Sequence, residues 1–258
     1  MSGEASAARM SVDVVLPVYN GADFVTRALD SVLAQEPHGT LGGWDLRILV
    51  INDASTDDSA TVLAEYGGRV VEANMAEANA TDANVSVSIT TLESNGRSAN
   101  ARNLGISLGS AKYVAFIDQD DAWVADKLAR QIGALEADAS LGYAVGKQQL
   151  RIQPGQARPA WCRPEWLIEP VAGFLPSALV VRRETFAAVG MFDTSVITGG
   201  DDVDWFARAR ALGIPCHDDP ACVVHRYAHE SNTSGDIDTS NQAMLDVVRR
   251  HLARKAGR

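Results

Sequence analysis

Residues 113–123 read Tyr-Val-Ala-Phe-Ile-Asp-Gln-Asp-Asp-Ala-Trp, an apolar run that stops at a cluster of carboxylates. Consecutive apolar residues without alternation are what a strand covered on both faces requires, and such strands occur in parallel sheets flanked by helices. In an open sheet of that kind ligands collect beyond the carboxyl ends of the strands. Asp118, Asp120 and Asp121 stand at that edge. Three carboxylates within four residues repel one another unless a cation or strong donors compensate, and a hard divalent ion, Mn²⁺ or Mg²⁺, is the natural compensator. A helix start decorated with Asp would account for Asp120 and Asp121 but poorly for Asp118.

Upstream the same unit recurs. Val12–Val18 is a short apolar run, followed at helical spacing by Phe24–Leu33; Leu46–Ile51 is a second run, ending in Asn52-Asp53, with Ser55 and Asp58 opening the next helix. Val85–Leu92 reads as a third strand, and an Asn95-Gly96 turn leads into a helix through Leu108. The rhythm predicts an α/β fold with an open, mostly parallel twisted sheet flanked by helices. Between Gly67 and Asn84 an Ala-, Glu- and Asn-rich stretch is expected to break it as a hairpin tip or surface insertion.

Downstream, Ala178–Val181 reads as a strand, Glu184–Val189 as a short helix stopped by Gly190, and Asp202–Leu212 as a helix stopped by Gly213. Arg151–Pro170 holds four prolines and two tryptophans. It is either a substrate-facing loop or a packed crossover with its tryptophans in the core. Asn241–Arg258 is an amphipathic helix whose Arg249, Arg250, Arg254, Lys255 and Arg258 suit peripheral contact with anionic lipid, pairing with an acidic surface of a second subunit in a homo-oligomer, or simply the helix C-terminus.

Among the 258 residues 46% are apolar, enough for a full core, and the formal charge of −10 disfavours nucleic acid as a partner. No stretch approaches the roughly 20 apolar residues of a spanning helix, and Met1–Met10 lacks the blocks of a signal peptide, so a cytoplasmic protein is expected. Cys162, Cys216 and Cys222 form no CxxC pair. Cys216, Cys222, His225 and His229 match no usual zinc spacing, and buried thiols beside a strand are the better reading.

A second acidic cluster, Gly199-Gly200-Asp201-Asp202-Val203-Asp204-Trp205, opens a helix behind two glycines. Like charges raise a carboxylate pKa toward the range of a general base, although Asp at a helix start also serves as a cap. With this cluster the sequence resembles the inverting glycosyltransferases of family 2, which have the GT-A fold. The matching stretches are VVLPVYNGADFVTRALDSVLAQ, LRILVINDASTDDS, NGRSANARNLGISLGSAKYVAFIDQDDAWVADKL, LVVRRETFAAVGMFD and GGDDVDWFARA, in family order.

The resemblance spans about residues 12–235 and implies a GT-A domain with a nucleotide-sugar half (12–123) and a smaller acceptor and catalytic half (124–235). Residues 1–11 are expected to be a disordered terminus and 236–258 the basic helix. It implies that Pro17, Tyr19, Asn20, Asp53, Arg102 and Asp118 hold the nucleotide-sugar, a UDP-sugar by family habit. Asp118, Asp120 and Asp121 meet ribose and metal, Asp120 being the main ligand. Asp202 is the catalytic base beside Asp201, which stands where the family has Glu, and Trp205 and Asp204 face the acceptor. His229, Asn232 and Ser234 fit a C-terminal family segment. His229 is then a ligand of metal or diphosphate, or else a solvated loop histidine, and Arg226 would need a one-residue shift to reach phosphate.

The implied reaction is metal-assisted transfer of a sugar to an acceptor hydroxyl with inversion. Two rivals are weighed beside it. A sugar-phosphate nucleotidyltransferase wants a Gly-rich basic loop after the first strand, where Pro17–Asp23 offers one glycine and no cation. An inactive glycan- or partner-binding domain would have lost carboxylates that are all present here.

Overall fold

Burial along β1 (Met10–Val18) decides which layer lies where. Val12, Val14, Leu16 and Val18 enter one core and Val15 the other, so both faces of the strand are covered. The structure, a computed structural model, describes residues 9–37, 41–76, 83–196, 199–230, 232 and 237–256. Beside β1 lie β2 (Trp44–Asn52), β3 (Ala83–Thr91) and β4 (Tyr113–Phe116), in the order β3-β2-β1-β4 with every pairing parallel.

One face is covered by α1 (Val25–Leu33), α2 (Ser59–Ala76) and α4 (Lys127–Ala137), the other by α3 (Arg97–Leu108), α5 (Thr185–Val189) and α6 (Asp201–Ala211). The spacing in α1 explains its docking: Val25, Ala28, Leu29 and Val32 recur on one stripe and all are buried. On the opposite face α3 approaches β1 at Gly105, where a Cβ would overlap the methyl groups of Val15. The chain leaves β1 by the α1 face and reaches β4 by the α3 face. That reversal of winding opens a crevice at the carboxyl ends of β1 and β4.

The second half extends the same sheet with β5 (Asp121–Trp123), β6 (Tyr143–Ile152), β7 (Val171–Ala172), β8 (Val180–Arg182) and β9 (Cys216–Ala228). Beyond β4 the order is β8-β6-β9-β5, and β7 pairs with β6. The sheet is therefore mixed: β8 is antiparallel to β4 and β6, while β6 and β9 run parallel, and most paired residues lie in parallel ladders.

Two expectations need correction. The break placed at 67–84 is largely helix, since α2 runs on through Gly67-Gly68 to Ala76 and β3 begins at Ala83, with 77–82 outside the described residues. Each glycine costs a helix about 1 kcal/mol, but Leu63 and Tyr66 anchor α2 in the core just before them. The segment 151–170 is not a packed crossover: Trp166 is exposed on a 3₁₀ turn and Trp161 is half-buried, while Gln149 Nε2 ties the segment to β6 through the Leu167 carbonyl at 3.0 Å.

The terminal helix α7 (Ile237–Ala256) packs on α6. Arg254 Nη1 bonds Asp204 Oδ1 at 2.7 Å, and Arg250 Nη1 reaches Ser195 Oγ at 2.9 Å and Asp193 at 3.3 Å. Two of the basic residues that suited a lipid surface thus turn toward the protein. Arg249 is exposed, and the Lys255 side chain and Arg258 lie outside the described residues. Among the described residues no helix is long and apolar enough to cross a membrane. The three cysteines are unpaired thiols, Cys162 buried and the others partly so.

Candidate active site

A cavity of about 810 Å³ opens at the β1–β4 crevice and is lined by residues from both halves of the chain. Every residue expected to hold the nucleotide-sugar faces it: Pro17, Tyr19, Asn20, Asp53, Arg102 and Asp118. The loops after the first three strands are strained there. Asn20, Ala54 and Arg97 have positive φ (49°, 58° and 68°), a region uncommon for residues with side chains. Hydrogen bonds hold them in place. Thr56 N–H donates to Asn20 Oδ1 at 2.8 Å, Asn20 N–H to Ser55 Oγ at 3.0 Å, and Gly96 N–H to Asp53 Oδ1 at 2.7 Å.

Gln119, between the carboxylates of the first acidic cluster, locks that loop onto the end of β1. Its Oε1 accepts from Tyr19 N–H at 2.8 Å and its Nε2 donates to Tyr19 O at 3.0 Å. The lock depends on Gly21, because a Cβ there would collide with the Gln119 amide.

Arg102 joins the two acidic clusters. Buried on α3, it donates from Nη2 to Asp118 Oδ1 at 2.7 Å and from Nη1 to Asp201 Oδ2 at 2.8 Å. Burial opposes its charge, but Asp118 and Asp201 outweigh that and raise its pKa further, so Arg102 is a fixed cation. Asp202 is left to bear the consequence. Burial and the neighbouring Asp201 push its pKa up to about 7 against the opposing pull of Arg102, and its Oδ1 accepts from Val203 N–H at 2.7 Å.

On the opposite wall Asp120 Oδ2 meets His229 Nε2 at 3.1 Å and accepts from Asn232 Nδ2 at 2.7 Å. Burial works to raise the Asp120 pKa, yet the His229 contact and Arg226 lower it on balance. His229 is buried and stacked on Phe24, with ring centroids 4.4 Å apart, so the solvated-loop alternative fails. Asp120 Oδ2 and His229 Nε2 together offer one carboxylate oxygen and one imidazole nitrogen at the cavity wall, a two-donor set that fits a Mn²⁺ or Mg²⁺ ion completed by phosphate oxygens and water; among the described residues no group of three or more His, Cys, Asp or Glu stands ready to hold a metal.

Arg226 lines the cavity without any shift of register, while Tyr227, on the other side of β9, carries the guanidinium of Arg27 3.6 Å from its ring centroid. Arg27 also donates to the Asp120 carbonyl at 3.1 Å.

Three expected site residues do not face the cavity. Asp121 belongs to β5 and is 3% exposed; burial and Asp120 raise its pKa, and its Oδ2 has no hydrogen-bond partner among the described residues. Strand alternation turns it inward when Asp120 turns outward. Trp205 is fully buried among Tyr143, Phe186, Phe192 and Phe206. Asp204 is equally buried and occupied by Arg208 and Arg254, each at 2.7 Å. Helical spacing accounts for both, since residues three and four along from Asp201 lie on its own inward-facing side. Ser234 lies outside the described residues. Gln119, Asn95, Arg97, Gln148 and Phe174 line the cavity and had not been singled out. The first three follow strands β4 and β3, where position alone could have flagged them; the last two come from β6 and the β7 segment.

A doubly wound sheet whose switch point opens into an acidic cleft is the architecture of the GT-A proteins. The chain belongs to glycosyl transferase family 2, whose family model matches residues 13–167. It is 29% identical over 235 residues to an uncharacterised glycosyltransferase of Rickettsia prowazekii, covering 86% of this chain and 65% of that protein. It is 28% identical over 124 residues to the UDP-Glc:α-D-GlcNAc-diphosphoundecaprenol β-1,3-glucosyltransferase of Escherichia coli, covering 48% of this chain and 40% of that one. In fold it is similar to a mannosyltransferase of Pyrobaculum calidifontis solved with GDP-Man and Mn²⁺, with TM-score 0.65 and 20% identity over 95% of this chain and 66% of that one. Against the Rickettsia prowazekii protein and a second Rickettsia relative, the chain spans 65% and 36% of their lengths.

Proposed function

We propose that this chain transfers a sugar from a UDP-sugar to an acceptor hydroxyl with inversion at the anomeric carbon, using Asp202 as general base. The observation that carries it is the position of Asp202. A carboxylate with a pKa near 7 shares one cavity with the Pro17–Asn20 and Asp53 loops, and its neighbour Asp201 is joined through Arg102 to Asp118 at the end of β4. A base is most effective when its pKa lies near the working pH. UDP is favoured by the donor of the Escherichia coli relative.

Tyr19, Asn20 and Asp53 bind the nucleoside, and Asp118, fixed by Arg102, faces the ribose. Asp120 and His229 hold the divalent ion, which when bound supplies positive charge to the diphosphate as it departs. Arg226, on the same wall, adds a guanidinium to the phosphate oxygens. The acceptor oxygen attacks the anomeric carbon from the side opposite the diphosphate. The carbon–oxygen bond to the diphosphate breaks with its electron pair, and the acceptor proton passes to Asp202. Asp201 neutralises Arg102 and keeps Asp202 basic.

The test is slow donor hydrolysis, followed by UDP release, with Mn²⁺ and a panel of UDP-sugars. Hydrolysis of one donor that vanishes on chelation supports the proposal. No UDP release and no UDP-induced thermal shift with any donor would refute it. Product anomers read by NMR decide the stereochemistry, and a retained configuration would sink the role of Asp202.

A further inference from the structure

The residues expected to meet the acceptor are in the core, which leaves that part of the cavity to other groups. One wall of the cavity is made by Gln148 of β6, whose Oε1 accepts from Arg226 Nη1 at 3.3 Å, and by Ala172 and Phe174 at and just after β7. Phe174 is 41% exposed, and its ring is held edge-on by Phe206 of α6 at 5.4 Å and 89°. Gly173 draws this segment against β6, since a Cβ there would strike the Gly146 carbonyl, and Gln148 Nε2 fastens it by donating to Ala172 O at 3.1 Å. A rigid half-exposed aromatic beside a polar amide presents a flat apolar face and a hydrogen-bonding edge, which is what a pyranose ring offers in return.

In the chain just before Phe174, Val171 is 47% exposed, Ile168 73% and Trp166 40%, all in one segment laid along β6. Single exposed apolar residues are ordinary, but three in one segment that runs up to a cavity wall mark a binding surface. Its chemistry argues against an anionic bilayer, since the exposed carboxylates Glu165 and Glu169 interleave with it.

We propose, resting on the transferase reading above, that the acceptor is an amphiphile. Its sugar ring lies on Phe174 beside Gln148, and its apolar aglycone leaves along Val171, Ile168 and Trp166.

Matched methyl and octyl glycosides of glucose, galactose and N-acetylglucosamine, kept below the micelle concentration, test this. Two readouts are used: transfer or inhibition of donor hydrolysis, and the fluorescence of exposed Trp166, with Trp166→Phe as the control that assigns the signal. The octyl member of at least one pair is expected to act at a concentration at least tenfold lower than its methyl partner. Tenfold equals about 1.4 kcal/mol, which about two buried methylenes supply. Ile168→Ser with Val171→Ser should bring the octyl compound back to the methyl value, and Phe174→Ala should weaken both members. UDP-induced thermal shifts verify that each variant is folded. Equal behaviour of octyl and methyl compounds throughout the panel, or an octyl advantage that survives the double serine variant, overturns the proposal. Absence of donor hydrolysis in the unmodified protein sinks the transferase reading instead, and the Trp166 signal still decides the path of the tail.

Discussion

Replacing Asp202 by Asn separates catalysis from stability in opposite directions. Asn keeps the shape of the side chain and can still accept the 2.7 Å hydrogen bond from Val203 N–H, but it cannot take a proton. General-base assistance is typically worth about 10²–10⁴ in rate, or about 2.7–5.4 kcal/mol of barrier, so turnover should fall by that factor with UDP affinity kept. The raised pKa has a second consequence. A carboxyl whose folded pKa of about 7 exceeds its ordinary 3.8 stabilises the fold while protonated. That contribution is complete below about pH 4 and is lost as pH rises through 7. At 1.36 kcal/mol per unit the shift corresponds to about 4 kcal/mol. Solvent in the open cavity reduces the gain expected for Asp202→Asn at pH 8 to about 1–2 kcal/mol, or about 2–6 °C in Tm. At pH 4 the variant and the parent should melt together. Transferase assays and thermal melts at the two pH values measure both effects. Turnover within tenfold of the parent, or a melting difference that does not grow with pH, would refute the reasoning.

Turnover of the unmodified protein should rise with pH to a plateau above about 7, because Asp202 must be ionised to act; a profile flat from pH 5 to 8 contradicts its role. Asp120→Ala should abolish the Mn²⁺-dependent part of UDP stabilisation, about 2.7 kcal/mol at 100 times the dissociation constant, and thermal unfolding with and without chelator reads it. Arg102→Met strands the carboxylates of Asp118 and Asp201 and should cost about 3–5 kcal/mol in urea unfolding, part of it recovered by adding Asp201→Asn. Gly21→Ala displaces the Gln119 amide and should weaken UDP binding by about tenfold. Combined with Gln119→Ala it should do no further harm, and calorimetric titration distinguishes the cases.

The first half was legible because three of its strands are apolar runs followed by the polar residues that line the cavity. Val12–Val18, Leu46–Ile51 and Tyr113–Ile117 all lie at strands, and Pro17 and Val18, Asp53 and Asp118 at their ends border the cavity. The second half obscures that rule. β6 begins with the buried Tyr143-Ala144-Val145 and continues through the half-buried Lys147-Gln148-Gln149 to Ile152, with Gln148 lining the cavity. β9 carries Asp218-Asp219-Pro220 within its length, where its pairing with β6 slips. Such strands read as loops in a linear pattern. Asp202, by contrast, was singled out through family resemblance and its like-charged neighbour Asp201, while the burial that does most to raise its pKa has no local signature in the sequence. Asp204 and Trp205 are in the core for a simpler reason: proximity in sequence to Asp202 says nothing about which side of a helix faces the cavity.

The docking of α7 has a bearing on when the protein becomes competent during its synthesis. Ala243 and Val247 pack against Gly200, at the residue before the acidic pair, and Arg254 reaches Asp204. The cavity draws its walls from residues far apart in the chain: Pro17 to Asp120 supply one side, and Arg226, His229 and Asn232, just before α7, another. Synthesis of the first half therefore leaves the cavity open, and its sides meet only once β9 and the residues after it have been added. α7 follows both sides in the chain and holds the start of α6, so the surroundings of Asp201 and Asp202 are set later still.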